Sequence, residues 1–156
     1  MSAANLIAAL TARGLTLATA ESCTGGLVAA ALTEIPGASA TFTHGFVTYA
    51  NAAKTSMLGV PASLLATHGA VSPETAAAMA QGARAQSGAS LALSTTGIAG
   101  PTGGSPKKPV GTVWFGLASS RGVATYSRVF PGDRAEIRRQ ATDFALALLL
   151  EEANTP

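Results

Sequence analysis

Apolar residues recur along this chain with helical and strand spacing in turn, and the breaks fall at glycine and proline. Leu6, Ile7 and Leu10 mark one side of a helix predicted over Ala3 to Ala12 and ending at Gly14. A short buried strand follows from Leu15 to Thr19. Leu27, Val28 and Leu32 then form the stripe of a helix from about Gly25 to Thr33, which stops before Pro36-Gly37. β-Branched and aromatic residues favour a strand over Thr41 to Tyr49, and Asn51 is expected to cap the short helix that carries Lys54. Pro61 and Ser72-Pro73 mark two further helix starts, the second running through alanine-rich sequence to Gln86 and closing at Gly88. Leu91 to Thr95 reads as a strand, and Val113 to Ala118 and Val123 to Phe130 as two more, joined at Arg121-Gly122. Asp133 is the natural cap of a last helix from about Arg134 to Glu152.

Helices before, between and after five strands predict the α/β class: a single three-layer α/β/α domain over residues 1–156, with a mixed, about five-stranded sheet. In open sheets of this kind ligands sit beyond the carboxyl ends of the strands. The turns at Ser22, Tyr49 and Thr96 are therefore expected at one edge.

Composition narrows the function classes. Hydrophobic residues make up 47% and charged residues 12%, which describes a folded domain with a large core. The net charge is only +2, and no basic run is interleaved with aromatics, so no nucleic-acid footprint is visible. One cysteine and two histidines make structural zinc improbable, and no metal or cofactor is expected. No segment approaches the length of a membrane span, and the amphipathic start lacks a basic n-region. The apolar run Phe144 to Leu150, flanked by Asp143, Glu151 and Glu152, reads as a buried helix and suggests packing on another subunit. A homodimer or higher homo-oligomer is the expected assembly.

Chemistry concentrates in three places. Ala20-Glu21-Ser22-Cys23-Thr24-Gly25-Gly26 puts a hydroxyl where a strand gives way to a helix, whose free N–H groups and dipole suit an anion or a developing oxyanion. Ser22 is there as a nucleophile, or else Ser22 or Thr24 is only a helix cap. Neither histidine sits in a triad signature, and the flanks are not the Gly-x-Ser-x-Gly elbow. Lysine is the alternative base; Lys54 would need its pKa lowered by roughly three units from about 10.4 to act near neutrality. An exposed helix lysine is the plain alternative, as a half-buried strand residue is for Tyr49. The stretch Gly97 to Gly104 is either a backbone cradle for a phosphate or acyl oxygen or a mobile surface loop; it matches neither a Walker nor a Rossmann pattern. Arg134 and Arg138 share a face near the start of the last helix, where cations oppose the dipole unless an anionic ligand or pairing with Asp133 and Glu136 offsets them.

Taken together, these segments resemble the C-terminal domain family of the competence-damage protein CinA. The resemblance rests on Thr19 to Gly26, Gly45 to Asn51 with Lys54, His68 to Ser72, Thr96 to Gly104, Lys108 to Val113, and Gly132-Asp133-Arg134 with Arg138 to Ala141. Stand-alone members of the family are nicotinamide-nucleotide amidohydrolases. The resemblance implies metal-free hydrolysis of the carboxamide of nicotinamide mononucleotide in the cytoplasm, with Ser22 as nucleophile, Lys54 as base and Tyr49 beside them. It also implies substrate or oxyanion contacts at Thr96 and Arg138. Physically, the pyridinium of such a substrate would push the Lys54 pKa down further. The segment Thr24, Gly25 and Gly26, with Thr96, is expected at the oxyanion, and Arg138 or a nest of Gly97, Gly100, Gly103 and Gly104 at the phosphate. A non-catalytic nucleotide-binding or protein-interaction domain is the alternative function.

Overall fold

The first helix outlasts the apolar run that announces it. Gly14 turns the chain left-handed, and the Leu15 N–H reaches back to the Leu10 carbonyl at 3.0 Å, so α1 covers Ser2–Arg13 and the first strand, β1, begins at Leu17 and runs to Glu21. The strand thus lies two residues later than its apolar start suggests. The computed structural model describes residues 2–156. Beyond β1 the order is α2 (Leu27–Thr33), a 3-10 turn (Ala38–Ala40), β2 (Phe42–Val47), α3 (Asn51–Leu58), α4 (Ala62–His68), α5 (Pro73–Ser87), β3 (Leu91–Gly97), β4 (Thr112–Ser119), β5 (Gly122–Val129) and α6 (Arg134–Ala153).

The five strands form one mixed sheet in the order β2-β1-β3-β4-β5. β1 pairs in parallel with both β2 and β3, and the remaining pairs are antiparallel. Strand alternation sends Leu17, Leu91, Leu93, Val113 and Phe115 to the face covered by α1, α2 and α6, and Ala18, Ala20 and Ala92 to the face covered by α3, α4 and α5. The expected three layers are present. Helix α5 lies so close to the sheet that Gly116 has no room for a Cβ against the Ala76 carbonyl, to which Ser94 Oγ donates at 2.6 Å.

Two caps behave as their sequences imply. Ser72 accepts from the Thr75 N–H at 3.1 Å, and Asp133 with Glu136 forms a reciprocal capping box at the start of α6. Asn51 is not a cap: Ala50 holds that position without a side-chain bond, which leaves the Asn51 side chain free of that duty. The apolar side of α6 (Ala141, Ala145, Leu146, Leu148, Leu149) is buried in the core cluster that includes α1, with Phe144 and Leu150 partly buried against it.

Because β1 is flanked on one side by the strand that follows it and on the other by a strand reached through three helices, the direction of winding reverses at β1. The carboxyl ends of β1, β2 and β3 gather at this point, as expected for the three turns.

Candidate active site

Ser22 is anchored to the sheet although it follows the last residue of β1. Its N–H donates to the Thr95 carbonyl at 2.9 Å, while the Thr48 N–H donates to the Glu21 carbonyl at 2.9 Å. Alternation then separates the neighbours, with Glu21 toward α2 and Ser22 toward α3. The Glu21 carboxylate accepts from the Val28 N–H at 2.9 Å, the Ala29 N–H at 3.0 Å and the Thr24 hydroxyl at 2.6 Å. It replaces the missing side-chain cap of α2, whose cap position is Gly26 in a left-handed conformation. Neither Ser22 nor Thr24 caps that helix, and it begins at Leu27 rather than Gly25 because Gly25 and Gly26, at φ +57 and +104, make a turn that residues with a Cβ resist.

Lys54 is 1% exposed. Its Nζ lies 3.0 Å from Ser22 Oγ, 3.0 Å from the Thr48 carbonyl and 3.3 Å from the Tyr49 carbonyl. An ammonium donates one N–H to each of these three acceptors. A neutral amine keeps two N–H groups for the two carbonyls and turns its lone pair to the Ser22 hydroxyl, which becomes the donor. Burial pushes the Lys54 pKa below the usual lysine value of 10.5, toward this second arrangement. The ion pairs among the described residues are His68–Glu74 and Arg121–Glu152, so no carboxylate offsets that effect at Lys54. In this second arrangement the amine lone pair is within reach of the hydroxyl proton.

A cleft of about 300 Å³ opens over this pair, with Tyr49, Asn51, Thr96, Ile98, Gly100 and Arg134 among its walls. Larger grooves of about 610 and 600 Å³ lie at the opposite end of the sheet, around Gly88 and Ser119, and gather no such pair. Of the residues that the sequence singles out, Ser22, Lys54, Tyr49, Thr96, Gly97, Gly100 and Gly103 line the cleft, whereas Thr24, Gly25, Gly26, Gly104 and Arg138 are not among its lining residues. Gly25 is no oxyanion donor in this geometry: its N–H is taken by the Ser22 carbonyl at 3.0 Å. The Thr96 hydroxyl donates to the Ala70 carbonyl at 2.7 Å, holding the loop after α4 rather than offering its proton to the cleft.

The two arginines divide. Arg138 donates from Nε to the Cys23 carbonyl at 3.1 Å and from its terminal nitrogen to the Thr24 carbonyl at 3.3 Å. Arg134 donates to the Gly100 carbonyl and to the Tyr49 hydroxyl, both at 2.9 Å, and stands at the mouth of the cleft. Neither forms an ion pair with Asp133 or Glu136, which are engaged in the capping box. Tyr49 contributes its carbonyl to Lys54 and its 60% exposed side chain to the rim. Sequence reasoning weighed Arg134 and Arg138 together for an anionic ligand but assigned only Arg138 to the site, and it left Asn51 out. The charge of Arg134 against the helix dipole was a signal for it; Asn51 had the local look of a cap.

Cys23, next to Ser22, is only 5% exposed, and burial, with a smaller push from the Glu21 carboxylate, raises its thiol to about 12. Incubation with iodoacetamide at pH 7 to 8 is expected to leave turnover unchanged; inactivation in step with labelling of Cys23 would contradict this picture.

The model of the CinA C-terminal domain family matches residues 1–153. A CinA-like protein of Anaeromyxobacter dehalogenans is 56% identical over 144 residues, which are 92% of this chain but 35% of that protein, so the chain spans about a third of such relatives. The nicotinamide-nucleotide amidohydrolase PncC of Escherichia coli is 54% identical over 145 residues, covering 92% of this chain and 88% of that enzyme. The crystal structure of the competence/damage inducible protein CihA from Agrobacterium tumefaciens superposes with a TM-score of 0.94 at 48% identity, over 99% of this chain and 94% of that one.

Proposed function

Since the chain belongs to the CinA C-terminal domain family, we propose that it is an amidohydrolase that converts nicotinamide mononucleotide to nicotinic acid mononucleotide and ammonia, a step of pyridine-nucleotide salvage. The observation that carries this reading is the buried Lys54 amine 3.0 Å from Ser22 Oγ, at the floor of a cleft with an arginine at its mouth. The similarity to PncC over nearly the whole of both chains supports the substrate.

The geometry supports the following chemistry. Ser22 Oγ attacks the amide carbon while the Lys54 amine takes the hydroxyl proton; the tetrahedral intermediate collapses as the Lys54 ammonium returns a proton to the nitrogen, and ammonia leaves. A nicotinoyl ester on Ser22 remains. Water, deprotonated by the same amine, cleaves it to the carboxylate and frees Ser22. The substrate assists at the start. Its pyridinium withdraws electrons from the carbonyl and, placed near Lys54, further disfavours the ammonium form. The Tyr49 ring at the rim suits a cationic heterocycle. Arg134, using two of its five donors on Gly100 and Tyr49, is better placed than Arg138 to meet the phosphate.

Ammonia release by the purified protein, assayed on nicotinamide mononucleotide with EDTA present, tests the proposal. Sustained turnover is expected. Nucleotide binding without turnover would instead favour the non-catalytic reading.

A further inference from the structure

Arg138 has the charge of a phosphate ligand but not the position of one. Its guanidinium reaches from α6 across to the serine turn and bonds the carbonyls of Cys23 and Thr24. Contact is close enough that a Cβ on Gly25 would lie 3.1 Å from its terminal nitrogen. Four donors of the turn and helix start are taken: Gly25 N–H goes to Ser22, Leu27 N–H to Thr24, and Val28 and Ala29 N–H to the Glu21 carboxylate, while the N–H groups of Cys23, Thr24 and Gly26 have no acceptor on another described residue. Of these three residues, Cys23 alone lines the cleft.

A planar trans peptide points its N–H opposite to its C=O, so holding a carbonyl fixes the direction of the N–H in the same plane. Cys23 is held through both of its peptide planes. The bond from Gly25 N–H draws the Ser22 carbonyl into the turn and directs the Cys23 N–H outward, and Arg138 Nε secures the next plane through the Cys23 carbonyl. We propose that Arg138 is a positioning residue for the oxyanion site: it locks the Ser22–Gly25 turn so that the N–H of Cys23, next to the nucleophile, stays free and aimed at the oxygen of the scissile amide. Donors set in advance for an oxyanion act chiefly in the transition state. Arg138 therefore governs the chemical step and not the capture of phosphate.

This inference rests on the amide-hydrolysis reading, and the experiment separates the two. Wild type and Arg138→Lys are compared on nicotinamide mononucleotide and on nicotinamide riboside, which lacks the phosphate. Loss of a well-placed oxyanion donor costs about a hundredfold or more in turnover, and a loosened one less. The expected result is a fall in kcat of about 10- to 100-fold on both substrates, with KM changed less than about threefold. Added guanidinium should restore part of the activity of Arg138→Ala. A loss confined to the phosphorylated substrate, or a KM effect with intact kcat, would overturn the proposal. If Arg138→Ala fails to fold, Arg138→Lys still decides the matter. If wild type itself releases no ammonia, the hydrolytic reading fails, and affinity for pyridine-3-boronic acid, whose Ser22 adduct places an oxygen at the same N–H, still tests Arg138: weaker binding in Arg138→Lys supports the role, and equal binding refutes it.

Discussion

Ser22→Ala is expected to lower ammonia release by about four to six orders of magnitude, the scale seen when a serine nucleophile is removed from a unit that works together with its base. The fold should persist. Ser22 Oγ is one of three acceptors around Lys54 Nζ, and the Thr48 and Tyr49 carbonyls remain to hold the amine. The loss of one hydrogen bond at a site only 9% exposed predicts a stability change of about 1 kcal/mol, readable as a small shift in the denaturation midpoint. Nucleotide affinity should stay near that of wild type, because the hydroxyl acts on the carbonyl carbon in the transition state. Turnover within tenfold of wild type would mean that Lys54 activates water directly and that no ester forms on Ser22.

Lys54→Ala should reduce turnover by about two to four orders of magnitude, the usual contribution of a general base. Lys54→Arg should not restore it, since a guanidinium stays protonated and has no lone pair to offer Ser22. The pH profile carries the sharper test. Burial lowers the folded-state pKa of Lys54, so the reactive neutral amine forms as pH rises through a value below 10.5, and kcat/KM should climb along that limb. With substrate bound the pyridinium lowers the value again, so the limb in kcat should lie at lower pH than the limb in kcat/KM. In Lys54→Ala both limbs should vanish. Stability has the same sign. The unfolded chain holds the Lys54 proton more tightly than the folded one, so this group's contribution becomes more favourable as pH rises from the folded toward the unfolded pKa. A limb that survives in Lys54→Ala would assign it to another group and remove Lys54 from the role of base.

Much of the architecture is local and was legible in the sequence. Glycine, proline and apolar spacing separate the helices from the strands, and Asp133 with Glu136 or Ser72 with Thr75 declare helix starts within three residues. The motif around Ser22 and the lysine after the second strand were equally visible as residue types. Their placement at one sheet edge followed from strand succession.

What the tertiary structure decided concerns partners distant in sequence. Helix α3 looks polar along its own length, yet Lys54 is buried, because the strand end at Thr48 and Tyr49 and the serine 32 positions earlier close around its amine. Arg134 and Arg138 are one helical turn apart on one face, which local reasoning cannot distinguish. The lie of α6 over the ends of β1 and β3 sends the first to Gly100 and Tyr49 and the second to Cys23, 115 positions away. In the same way α2 takes its cap from Glu21 across a turn instead of from its own first residue. The sequence by itself determined which groups could ionise, donate or attack, because that chemistry belongs to the side chain. Only the fold determined which of them lose water and which carbonyls they meet, because desolvation and hydrogen bonding depend on atoms brought close from elsewhere in the chain.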